Sequence, residues 1–119
     1  MNYVYFGQST AAGAATAQAY PAANFMGIDS ASATTAKLYF KPVVNLAANA
    51  ADGDNNDEIL VTFPNTGVAG NLNFAQICEI LCGAITGSKP SGAMTVIADE
   101  LNGVYISPLE STVTITAGG

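Results

Sequence analysis

A single stretch of this chain spaces its apolar residues for a helix, while its other apolar runs alternate. In "NFAQICEILCGAITG" (73–87), Phe74, Ile77, Cys78, Leu81 and Ile85 recur at i, i+3, i+4, i+7 and i+11, one face of a 3.6-residue helix. Asn73 fits the N-cap, because its side chain can accept a hydrogen bond from a free backbone N–H. Gly87, followed by Pro90, supplies the stop. A helix over 73–86 with one apolar face must bury that face, and the rest of the chain offers strands to bury it against.

Those strands read by alternation. "NYVYF" (2–6) sets Tyr3 and Tyr5 against Val4 and Phe6. "TAKLYFKPVVN" (35–45) puts Leu38 and Phe40 on one face; Pro42 cannot donate to a ladder, so this strand is expected at a sheet edge, or bent there. "DEILVTF" (57–63) is the clearest, with Ile59, Val61 and Phe63 facing one way and Leu60 and Thr62 the other. In "MTVIADELNGVYISPL", two β segments flank Asn102-Gly103, a pair suited to a two-residue hairpin turn. "STVTITA" (111–117) closes the chain, with Val113 and Ile115 alternating against threonines.

Between the first two strands lies "GQSTAAGAATAQAYPAANF", rich in Ala and Gly and without an apolar stripe to dock a helix. Residues 8–24 are expected to form an extended arm or long loop lying across another subunit, since a structureless stretch of that length is unusual inside a compact domain. The order is then β, arm, β, β, α, β, β, β. It predicts an α+β, mainly β fold: an antiparallel sheet or β-sandwich with one amphipathic helix packed on it, with residues 1–119 in a single domain.

Composition narrows the partners. Half of the residues count as hydrophobic, but 21 of them are alanine, so the core is modest and oligomerisation would help stabilise it. Three lysines (Lys37, Lys41, Lys89), no arginine and a net charge of −6 argue against nucleic acid and against anionic membranes, both of which are gripped by basic side chains. Only 10% of residues are charged, which suits a protein packed densely against neighbours. "MNYVYFGQST" carries neither a basic leader nor the apolar run of a signal peptide, so synthesis in a cytoplasm is expected.

Candidate chemistry is sparse. "DGDNNDE" (52–58) gathers four of nine carboxylates. Against a calcium loop, Asp52, Asp54 and Asn56 fit positions 1, 3 and 5, but Asp57 stands where Gly is wanted and Phe63 where the bidentate Glu is wanted. A solvated turn explains the stretch better, with weak calcium binding as the rival. Cys78 and Cys82 lie one helical turn apart with no histidine in the chain to complete a zinc site, so they read as packing residues. Without histidine no Ser-His-Asp or Cys-His arrangement exists, and Asp99 and Glu100, adjacent in a strand, would point to opposite faces. No catalytic residue, cofactor or metal ligand is expected.

"YVYFG", "ANFMGID" before "AKLYFKPV", "DEILVTF", the helix and "MTVIADELNGVYISPLESTVTITA" are together similar to small virion proteins of tailed cyanobacterial and marine phages, the capsid decoration and minor structural components. The similarity covers most of the chain in pattern and composition, and it brings no invariant motif and no catalytic residue. It implies a virion protein assembled in the host cytoplasm. Such a subunit sits over capsid subunit junctions, at local threefold positions, with the major capsid protein and copies of itself (a trimer, for example) as partners. Tyr3, Tyr5, Tyr20 and Phe25 are the expected contacts, as rigid aromatic anchors; the competing expectation is that they complete the core. Two rivals stay open: a repeating subunit of a tail tube or extracellular filament joined by strand addition through the N-terminal segment, and a small ligand- or calcium-binding β module using 52–58.

Overall fold

The computed structural model describes residues 2–9, 15–42, 56–87, 92–110 and 112–116. It is mainly β with one α-helix, as the alternation requires. The elements are β1 (Tyr3–Ser9), β2 (Ala15–Pro21), a 3-10 turn (Ala22–Asn24), β3 (Phe25–Ser32), β4 (Thr35–Phe40), β5 (Asp57–Thr62), α1 (Phe74–Thr86), β6 (Met94–Asp99), β7 (Val104–Tyr105) and β8 (Val113–Thr116). Two four-stranded sheets form, in the orders β2-β1-β6-β7 and β3-β4-β5-β8. Pairing is antiparallel except between β1 and β6.

The sheets pack as a sandwich around one core. The first contributes Val4, Phe6, Tyr20, Ile97 and Ala98, and the second Ala36, Leu38, Phe40, Ile59, Val61 and Val113. Phe40 is the hub: Tyr20 stacks on it at 4.5 Å between ring centroids, and Phe6 and Phe25 approach at 5.5 and 5.4 Å. Helix α1 lies against β6, β3 and the 3-10 turn and inserts Ile77, Leu81 and Ile85. Its start is a complete capping box: Asn73 Oδ1 accepts from the Gln76 N–H, and Gln76 Oε1 accepts from the Asn73 N–H.

Four sequence expectations need correction. Residues 8–24 are not an arm. β1 runs on to Ser9, and 15–21 form β2, which pairs with β1 from Tyr3↔Pro21 to Ser9↔Ala15; residues 10–14 lie outside the described residues. Alanine is a poor strand former, so what holds β2 is its ladder and the burial of Tyr20 rather than propensity. β3 was not foreseen. It forms a hairpin with β4 around Ala33 and Thr34, where the Ser32 hydroxyl meets that of Thr35 at 2.7 Å. β4 is an inner strand between β3 and β5, not an edge, because it stops at Phe40 before Pro42 can interrupt a ladder; residues 43–45 lie outside the described residues. Finally, the turn at Asn102-Gly103 is real, with Gly103 at φ +67°, but the loop is four residues long (100–103).

Candidate functional site

Those residues singled out for chemistry that the structure describes are occupied in building the fold. Of the acidic stretch, 52–55 lie outside the described residues. Asp57 opens β5, is buried, and accepts a 2.7 Å hydrogen bond from the Tyr20 hydroxyl. Burial first, then the Asp57 carboxylate, pushes the Tyr20 phenol far above its ordinary range, so it stays protonated and donating. Glu58 faces solvent and meets Lys37 at 3.6 Å. Among the described residues no three His, Cys, Asp or Glu side chains gather as a metal site.

Asp99 and Glu100 likewise serve the backbone. Asp99 Oδ1 accepts from the N–H of Leu101 and of Asn102 (3.1 and 3.4 Å), and Oδ2 accepts from Asn102 Nδ2 at 2.7 Å, closing the β6–β7 loop. Gly7 lies opposite Asp99 in the β1–β6 ladder, and a Cβ there would stand 2.5 Å from Asp99 Oδ1. Glu100 joins the two sheets: Oε1 accepts from the Ser9 N–H at 2.8 Å and Oε2 from the Val113 N–H at 3.1 Å. Gln8 Oε1 accepts from the Ile115 N–H at 2.8 Å. The outer side of β8 is therefore closed by side chains from the opposite sheet. Cys78 and Cys82 are free and half-buried on α1, and burial followed by the neighbouring Cys82 raises the Cys78 pKa, which keeps it a thiol.

What remains unaccounted for is a surface. Strand alternation sends Val4 and Phe6 into the core and Tyr3 and Tyr5 to the outer face of the first sheet. The parallel register sets Met94 beside Tyr3 and Val96 beside Tyr5, and the antiparallel register sets Pro21, Ala19 and Ala17 on their other side. Val104, in register with Asp99, extends the face onto β7. Tyr3, Met94 and Val104 are 38%, 57% and 49% exposed, large values for apolar or aromatic side chains. Among the described residues of this face Asp99 is the one charged group, and its carboxylate is turned into its own loop. A sheet face of this kind, aromatic-containing and with its one carboxylate turned into a loop, is suited to contact with another protein.

Of the four aromatics expected as contacts, this face holds two. Tyr3 is exposed and Tyr5 half-buried there. Tyr20 is a core residue with no exposed surface, which corrects the expectation that it reaches a partner; its hydroxyl finds Asp57 inside. Phe25 is half-buried against Phe40 at the other sheet's edge. Sequence reasoning passed over Met94, Val96 and Val104. The alternation of "MTVIA" carried a signal for the first two, but which face looks outward depends on the β1–β6 register. Compared with protein-family models, curated protein sequences and solved structures, the chain matches none.

Proposed function

We propose that this chain is a non-enzymatic virion structural protein, a capsid decoration subunit that binds across junctions between capsid subunits. The observation that carries the reading is the outer face of the first sheet, where the exposed Tyr3, Met94 and Val104 and the half-buried Tyr5 form a patch of uncharged side chains on an acidic molecule. At roughly 25 cal/mol per Å² of apolar area buried, a patch of this size binds weakly in one copy and gains by repetition over a shell. The engagement of Asp57, Asp99 and Glu100 in the fold supports a role without catalysis. The similarity of pattern and composition to small phage virion proteins supplies the choice of partner, the major capsid protein.

The test is to purify virions of a phage that encodes the chain and count it against the major capsid protein by quantitative mass spectrometry. Copies comparable to the capsid subunit, or one per local threefold, are expected; absence from the virion would overturn the proposal. A tail-tube or filament subunit is the second reading, and the observation favouring it is the edge of β2, to which no strand among the described residues is paired and onto which a neighbouring strand could add. A count several-fold below the capsid protein, with fibres formed by the purified chain in electron micrographs, would favour that reading instead.

A further inference from the structure

Among the described residues the two sheets end in four edge strands, and three of them are protected against adding another strand. β8 has its outer N–H groups taken by Glu100 and Gln8. β3 carries Asp29 and two irregularities in register, one at Gly27, whose φ is +148°. β7 is two residues long. β2 has none of these defences. Its seven residues, ATAQAYP, hold no charge, and its proline stands at the very end.

The direction of its hydrogen bonds can be read from the ladder. The Ala22 N–H donates to the Asn2 carbonyl, and the Tyr3 N–H turns the other way, to the Ala93 carbonyl beside β6. Antiparallel alternation then turns Tyr20, Gln18 and Thr16 toward β1, and Ala19, Ala17 and Ala15 toward the open side. These three residues present N–H and C=O groups in a row to which no strand among the described residues is paired. The side chains of Ala17 and Ala19 lie on the outer face and are the smallest that a strand can carry short of glycine.

We propose that β2 pairs with β2 of a second copy of this chain, antiparallel about a two-fold axis at Ala17. The spacing of Ala15, Ala17 and Ala19 is the same read from either end, so the row matches itself: Ala17 meets Ala17 of the second copy, and Ala15 meets Ala19. Three such pairs exchange about six backbone hydrogen bonds and join the two first sheets into one. Charge selects a second copy at this edge. Each chain carries −6, and among the described residues the carboxylates open to solvent, Asp29, Glu58, Glu79 and Glu110, lie on other elements of the fold. β2 itself carries no charge, so two copies of this strand can pair without setting like charges opposite one another. A two-fold contact closes on itself, so this pairing gives a dimer rather than a fibre through this edge. It also brings the two outer faces side by side, doubling the patch offered to a partner.

The test is sedimentation velocity on the purified full chain from about 1 μM to 1 mM. The mass expected at the upper end is twice 12.0 kDa. Ala17→Lys places a charge beside its own copy at the axis and should raise the dimer dissociation constant about tenfold or more, with an unchanged circular dichroism spectrum. Ala17→Pro removes an outward N–H that β1 does not use, and should leave a folded monomer. If the proline variant does not fold, the lysine variant decides alone. A wild-type chain that stays monomeric throughout, or a dimer that survives Ala17→Lys, would overturn the pairing. The capsid is absent from this experiment, so a monomer would leave the virion reading standing, and absence from virions would leave the dimer standing.

Discussion

Tyr20 does the work of two residues. Its ring fills the space between the sheets against Phe40 and Phe6, and its hydroxyl supplies a hydrogen-bond donor to the buried carboxylate of Asp57. Tyr20→Phe keeps the ring and removes that donor, so it should lower stability by about 1–3 kcal/mol in urea unfolding at neutral pH. The pH dependence has a definite sign. A phenol whose folded pKa lies above its unfolded value of about 10 stabilises the fold below pH 10, and that contribution is lost as pH rises toward the folded value. Wild type should therefore lose stability above about pH 10 more steeply than Tyr20→Phe, whose curve lacks this phenol. Gly7 is constrained by closeness rather than by φ. Gly7→Ala sets a methyl against Asp99 Oδ1, which is held in place by its own hydrogen bonds, and should cost about 1–3 kcal/mol by thermal or urea unfolding.

At the scale of elements, legibility followed how far local rules decide the outcome. α1 was readable because its cap, apolar face and stop all lie within fifteen residues. Asn73→Ala should cost about 0.5–2 kcal/mol, a loss visible as a lower Tm. β5 was readable because alternation persists along it without a bulge. β3 was hidden by the bulge near Gly27, which brings Phe25 opposite Phe40 and Ile28 opposite Leu38, so residues three apart share one face and the period of two disappears. β2 was hidden by composition, because Ala and Gln announce neither strand nor core and the ladder with β1 decides. In the candidate site, the alternation of "NYVYF" placed Tyr3 and Tyr5 on the face opposite Val4 and Phe6, where they lie, whereas Tyr20 is buried in the core. Nothing local to "QAYPAAN" tells that Asp57, 37 positions away, will meet its hydroxyl. Glu100 belongs to the same long-range class: Glu100→Ala leaves the Ser9 and Val113 N–H groups without their acceptor. It should loosen the junction of β1 and β8, with those amides exchanging faster with deuterium than in wild type.

The whole molecule is a small acidic sandwich in which Asp57, Asp99 and Glu100 are held in the fold's own hydrogen bonds and the outer face of the first sheet presents Tyr3, Met94 and Val104 to solvent. The side chains at 58 and 37 form an ion pair open to water, which contributes little to stability. The core and the long-range hydrogen bonds from Gln8, Tyr20 and Glu100 carry the fold instead. The reading that the chain decorates a capsid through its outer face is tested most directly by adding the purified protein to capsids that lack it and measuring the amount that co-sediments. Met94→Lys provides the control, since Met94 is 57% exposed and its replacement leaves the core intact. The account predicts saturable binding of wild type and binding weakened about tenfold or more for Met94→Lys at an unchanged Tm. Equal binding by both proteins, or no binding by wild type, would contradict it.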